Sequence, residues 1–386
     1  MRAIVNGKII TKSTLLEDKV ILFDDKIEKI LDKREFHKLI NENTNDSIQI
    51  ADAQGMYVSP GFIDIHIHGA GGSDTMDGTL EALEVISKTI AKSGVTAFLP
   101  TTMTMSKEKI YKALDNIKEA VSKDFKGAKV LGAHVEGPFI NEKYKGAQKE
   151  DYILNPSYDF IKGYEDDIKI ITLAPEKDEN LSFIKTVKEK TDIALSIGHS
   201  DASYEQAMTA IENGITQSTH IFNRMTPLNH RKPGIVGAAF NSDIFCELIA
   251  DTIHVHPAVI NILVNIKGKE KVILITDSMR AGGMKDGISE LGGQKVIVKD
   301  GSARLEDGTL AGSVLTLNKA VKNVFNNTSL NICEAVDMAS LNPAKSINID
   351  GKKGSIEIGK DADIVIFDEN FDVKHTIVSG KTVFKC

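Results

Sequence analysis

A chain of 386 residues exceeds what one small core needs, so one large domain with a smaller companion is the first expectation. Lys and Arg total 47 against 54 Asp and Glu, a formal charge of −7 that argues against nucleic acid or an acidic membrane as partner but leaves room for a small anion held by a local arginine. Three cysteines at spacings that fit no metal knuckle, an opening without an apolar h-region and no apolar run near the roughly 20 residues of a membrane span give the expectation of a reducing, cytoplasmic setting.

Residues 1–55 read as short strands. Ala3-Ile4-Val5 and Lys8-Ile9-Ile10 flank Asn6-Gly7, which predicts a two-residue hairpin. Residues 19–23 and 26–30 follow as a pair around Asp24-Asp25, and the polar, Asn-rich stretch 33–50 predicts an exposed loop. The other end is similar: 354–359 leads into 362–367, and 376–378 and 382–384 flank Ser379-Gly380-Lys381. Neither end can bury a core alone, so the prediction is one small β domain built from residues 1–55 and 350–386.

Between them, in residues 56–349, short apolar runs alternate with helical stretches. The runs are 62–68, 96–100, 130–135, 168–173, 193–197, 217–222, 246–250 and 271–276. Leu80, Leu83, Ile86 and Ile90 recur at helical spacing within 79–93, and Ile110, Leu114, Ile117 and Val121 within 106–122. Eight strands alternating with helices predict an α/β fold of the (β/α)8 TIM-barrel type. An open doubly wound sheet is the alternative, but no Gly-x-Gly-x-x-Gly follows the first strand, which disfavours a dinucleotide fold.

The chemistry lies at the strand ends. In Gly61-Phe62-Ile63-Asp64-Ile65-His66-Ile67-His68-Gly69, strand alternation sends His66 and His68 to one face and Ile65 and Ile67 to the other. Such a pair is half a metal site or a buried pair without one, and these residues alone leave both open. The third strand ends in His134-Val135-Glu136-Gly137-Pro138, the fifth in Gly198-His199-Ser200, and the sixth carries Thr219-His220. Asp251-Thr252-Ile253-His254 follows the seventh, and Thr276-Asp277-Ser278 ends the eighth. In a parallel barrel these ends share one face. Glu136, His199 and His220 offer a carboxylate and two imidazoles with a position left open, His66 and His68 can complete a second site bridged by Glu136, and Asp277 is placed for proton transfer.

Each residue also has a purely structural reading. Glu136 could close the turn at Gly137-Pro138, His199 could cap a helix opening near Ser200-Asp201, and Asp277 could cap the next turn. All of these together are less credible than convergence. Asn223-Arg224 and His230-Arg231-Lys232-Pro233-Gly234 make a basic loop suited to phosphate or carboxylate, or to plain solvent. Met76 and Met103 read as packing or lining.

The chain resembles the N-acetylglucosamine-6-phosphate deacetylases of the amidohydrolase superfamily. The resemblance is carried by residues 60–69, 134–139, 198–200, 219–223, 249–254 and 275–278, by Leu310-Ala311-Gly312-Ser313 and by the tail 354–363, and it spans nearly the whole chain. It implies a barrel with a terminal β-sandwich, and hydrolysis of an acetamide on a 6-phosphorylated amino sugar in amino-sugar catabolism and cell-wall recycling. It implies Glu136, His199 and His220 as ligands of a divalent metal, Zn²⁺ or alternatively Fe²⁺, Mn²⁺ or Co²⁺. His66 and His68, which some members lack, allow a second ion. Asp277 would be general base and then acid. His254 would meet the sugar, and Asn223 and Arg231 the phosphate, with help from the neighbouring subunit of a homodimer. Backbone near Leu310 would hold the acetyl end, and Ala147 and Gln148 would lie beside the substrate. Gln148 stands where some members have histidine, and Arg224 where a small residue is frequent. No lysine stands at the strand ends to carry a bridging carbamate, which disfavours hydantoinase and dihydroorotase readings. Another metal amidohydrolase and a non-catalytic scaffold remain the rivals.

Overall fold

A computed structural model describes residues 1–12, 14–42 and 48–386. All eight predicted runs form strands: β1 (Phe62–Ile67), β2 (Val95–Thr102), β3 (Ala133–Glu136), β4 (Ile168–Leu173), β5 (Ala194–Ile197), β6 (Ile215–Ser218), β7 (Phe245–Ile249) and β8 (Val272–Ile275). Each pairs in parallel with the next. A parallel bridge between Ile67 and Ser278 joins the last strand's end to the first. The fold is the predicted α/β barrel. The strands are buried on both faces: Ile63, Ile65 and Ile67 join the main core while Asp64 and His66, also buried, alternate with them. The helix Leu80–Ala91 starts where Thr79 accepts from the Ala82 backbone N–H, and Lys107–Val121 starts after Ser106.

Both termini build two further sheets, one ordered 27–32, 19–23, 2–5, 49–52 and the other 381–385, 373–378, 364–367, 57–60, 8–10, 15–16. Their shared core includes Ile4, Ile21, Phe23, Val58, Ile364 and Ile377. Two local expectations fail here. Asn6-Gly7 does not close a hairpin: Arg2–Val5 pairs with Lys19–Phe23 and Gln49–Asp52, whereas Lys8–Ile10 pairs with Leu15–Leu16 and Tyr57–Pro60 in the other sheet. Asn6 alone is left-handed, with φ 56°, so the backbone switches sheets instead of reversing. Gly7 is needed for approach, since a Cβ there would lie 2.4 Å from Val58 Cγ2.

The stretch 33–50 is not a loop throughout. Lys33–Glu42 is a helix, and Gln49–Asp52 a strand parallel to Arg2–Val5; residues 43–47 lie outside the described residues. Phe36, Leu39 and Ile40, at helical spacing inside a polar composition, pack on Ala3, Val20 and Leu22. One element was not foreseen at all. After β8 the chain makes an antiparallel meander, Gly287–Leu291, Gln294–Lys299 and Ser302–Leu305, that leans over the barrel mouth.

Candidate active site

The C-terminal ends of the strands do meet. Glu136 Oε1 lies 3.1 Å from His220 Nε2, 3.2 Å from His199 Nε2 and 3.4 Å from His66 Nε2, and Glu136 Oε2 lies 3.4 Å from His68 Nε2. Asp277 Oδ1 sits 3.2 Å from His68 Nε2 and 3.6 Å from His66 Nε2. Two ligand groups therefore share one carboxylate: His66, His68 and Glu136, and Glu136, His199 and His220. All six side chains are buried or nearly so.

The backbone is bent to achieve this. His199, His220 and Asp277 have φ of 49°, 30° and 47°, left-handed values that cost a non-glycine residue about 1–3 kcal/mol each. Surrounding hydrogen bonds hold them there: Asp277 donates its N–H to His66 O, Ser313 donates to Asp277 O, and Asn141 donates to His199 O. The helix-cap reading of His199 does not apply. The helix after His199, Tyr204–Asn213, is capped by Ser203 with Gln206 closing the box, and Glu136 accepts from Gln148 Nε2 at 2.7 Å.

Three of the four histidines are anchored through Nδ1, which points Nε2 at the common centre. The Nδ1 partners are Glu247 Oε2 for His66 at 3.0 Å, Thr101 O for His68 at 3.2 Å and Tyr144 O for His199 at 2.8 Å. A third cluster, His66, His134 and Glu247, is support and no separate site. Both nitrogens of His134 are taken, by Ile65 O at 2.9 Å and Thr172 Oγ1 at 2.7 Å.

The electrostatics follow from packing imidazoles and carboxylates together out of water. Burial pushes His66 down, but Glu136, Asp277 and Glu247 outweigh it and lift the imidazole to about 9. His68 is raised well above its usual value against the same burial penalty, by Asp277 and Glu136. Burial raises Asp277, yet His66 and His68 hold it down to about 2, and Glu136 is likewise held well below the carboxylate range against burial by His199 and His66. His66 Nε2 is buried without a hydrogen-bond partner, aimed into the cluster. Nitrogen and carboxylate donors with an atom left over in this way fit a divalent metal.

The cluster forms one wall of a cavity of about 430 Å³. Of the predicted substrate-side residues, His254, Asn223, Arg224, Ala147, Gln148 and Leu310 line it. Arg231 does not; it is exposed, with Nη1 against His230 Nε2 at 2.8 Å. Gln148 is committed at both ends, donating to Glu136 Oε2 and accepting from Thr104 N at 2.6 Å, so it steers Glu136. His254 Nδ1 meets Asp251 Oδ2 at 2.6 Å.

Sequence reasoning missed Tyr144, Leu291, Arg304 and the anchoring Glu247. Leu291 and Arg304 belong to the meander and line the cavity. The signal was present: Gly292-Gly293, both left-handed, joins two strands, the second of which, Gln294–Lys299, alternates in burial. Glu247 was legible as a carboxylate inside the otherwise apolar β7.

A parallel barrel whose rim gathers four imidazoles and two carboxylates defines a metal-binding enzyme site. The chain matches the amidohydrolase family over residues 57–383. It is 42% identical over 333 residues to an N-acetylglucosamine-6-phosphate deacetylase of Bacillus subtilis (strain 168), covering 84% of each chain. It is 35% identical over 339 residues to an N-acetylgalactosamine-6-phosphate deacetylase of Escherichia coli O157:H7, covering 86% of this chain and 89% of that one. The crystal structure of N-acetylglucosamine-6-phosphate deacetylase from Pasteurella multocida matches with a TM-score of 0.91 at 34% identity over 99% of both chains. The chain belongs to the amidohydrolase family.

Proposed function

We propose that the protein hydrolyses the acetamide of N-acetylglucosamine 6-phosphate, releasing acetate and glucosamine 6-phosphate. The observation that carries this reading is the Asp277 carboxylate beside the shared Glu136 cluster, at the wall of a cavity that also presents Arg224 and Arg304. The deacetylase relatives at 35–42% identity support the substrate class.

Glu136, His199 and His220 would hold one divalent ion, read as Zn²⁺, with His66 and His68 completing a second position. When bound, such an ion supplies Lewis acidity, acidifying water and polarising a carbonyl. Asp277, a carboxylate at neutral pH, takes a proton from water as the water oxygen bonds to the acetyl carbon. It gives that proton to the amine nitrogen as the C–N bond breaks. His254, oriented through Nδ1 by Asp251, meets a sugar hydroxyl, while Leu310 and Ala147 bound the acetyl end. Asn223 and Arg224 receive the phosphate. Arg231, exposed on its own subunit, would contribute across the boundary of a homodimer. An amino-sugar catabolic and cell-wall-recycling role in the cytoplasm follows from this substrate; among the described residues no helix is long and apolar enough to cross a membrane.

The test is acetate release from N-acetylglucosamine 6-phosphate, with N-acetylglucosamine and N-acetylgalactosamine 6-phosphate alongside, with and without chelator. Release from the glucosamine phosphosugar, lost on chelation and restored by zinc, is expected. Faster release from the galactosamine epimer would overturn the substrate, and chelator-insensitive turnover would overturn the metal. Asp277→Asn is expected to lower kcat about 10²–10⁴-fold with metal content unchanged; near-normal turnover would remove Asp277 from its role.

A further inference from the structure

Glu247 is a carboxylate with 0% exposure, on β7, and among the described residues no Lys or Arg pairs with it. Burying a carboxylate so completely is costly unless something uses its charge. Oε2 meets His66 Nδ1 at 3.0 Å and accepts from the backbone N–H of His220 at 3.2 Å; Oε1 has no partner. Its backbone carbonyl accepts from Ile221 N at 2.8 Å. One residue thus grips a ligand from each half of the cluster.

The other anchored histidines differ. His68 and His199 lean on backbone carbonyls, which orient a ring but bring no charge. Only His66 among the four is held by a carboxylate. A carboxylate on Nδ1 fixes the tautomer with the lone pair on Nε2 and makes that nitrogen a stronger donor. The His66 nitrogen so presented is buried and has no hydrogen-bond partner. Two dications facing only Glu136 and Asp277 would leave two positive charges uncompensated, and Glu247 cancels one of them.

We propose that Glu247 is a positioning residue for the His66–His68 half of the cluster, acting on the ion held there through the His66 ring. The proposal rests on the metal reading above but not on the identity of the substrate.

The experiment is equilibrium dialysis of chelator-stripped full-length protein against free Zn²⁺, with bound zinc counted per chain. Wild type is expected to bind two ions. Glu247→Gln, which removes the charge but keeps an oxygen to accept from the His220 N–H, is expected to weaken the ion at His66 and His68 about 10–100-fold and leave the other unchanged. His66→Gln should do the same, and the double variant should be no worse than His66→Gln, since Glu247 acts through that ring. Equal weakening of both ions, additive losses in the double variant, or two-ion binding by Glu247→Gln within threefold of wild type would each overturn the proposal. Should Glu247→Gln not fold, Glu247→Asp is read instead: its shorter side chain withdraws from the His66 ring, so weakening of one ion supports the role and unchanged two-ion binding overturns it. Failure of the phosphosugar assay leaves this count untouched, so the two readings fail separately.

Discussion

Two places in this molecule bury several charges together, and they are built on opposite principles. At the junction of tail and sandwich, Lys353 is buried with Nζ 2.6 Å from Asp363 and 2.8 Å from Asp361, while Asp363 also accepts from Ser379 N. Burial pushes Lys353 down, but Asp363 and Asp361 more than restore it, so it stays charged. Every charge there has its partner. At the barrel rim the carboxylates outnumber any fixed cation, imidazoles fill the gap only when protonated, and His66 Nε2 is left without a partner. Saturated buried charge holds parts of a chain together; convergent, unsaturated buried charge is kept for something that arrives from outside.

The strongest way to break this contrast is to remove the shared ligand. Glu136→Gln is expected to abolish zinc binding at both halves and turnover with it, measured by metal content and acetate release. Retained activity would show that the rim is not organised around Glu136. On the other side, Lys353→Met leaves the buried Asp363 and the half-buried Asp361 without their cation. It is expected to lose about 3–5 kcal/mol of stability in urea unfolding while kcat of the folded fraction stays unchanged. A change in kcat there would mean the two regions are coupled.

Asp337 sharpens the criterion. It is half-buried with Oδ1 enclosed and unpartnered, but among the described residues no metal-ligating group gathers around it. Burial raises it to about 7 against Lys345, Lys12 and Lys269. Because the folded value lies above the unfolded one, the folded state holds the extra proton between about pH 4 and 7, and stability falls as pH rises through that window. Asp337→Asn should flatten the pH dependence and stabilise by on the order of 2 kcal/mol at pH 7, without touching kcat. Melting curves from pH 4 to 8 check it; a loss of activity would show that lone unsatisfied charge also marks function here. The smallest effect concerns the cavity mouth. Arg224→Ala should raise KM for the phosphosugar about tenfold, some 1.4 kcal/mol, with kcat unaltered. An unchanged KM would place the phosphate elsewhere.

The barrel and the ligand cluster were legible in the residues because both rest on local rules. Strand alternation alone puts His66 and His68 on one face, and alternating apolar runs and amphipathic helices specify parallel strands whose ends must share a rim. Local rules failed where one residue's conformation or a remote surface decides. Asn6-Gly7 has hairpin composition, yet only Asn6 is left-handed, and sheets formed by residues far along the chain pull its flanking strands apart. Phe36, Leu39 and Ile40 become a helix face because Ala3, Val20 and Leu22 offer a surface to cover. The donors and the strand ends that carry them follow from residue order alone. It takes packing in three dimensions to share Glu136, to spend Gln148 on steering it, to stand Glu247 behind His66 and to bring Arg304 to the cavity on a meander. Those are relations between side chains dozens to hundreds of residues apart, and no periodicity along the chain encodes a distance across a barrel.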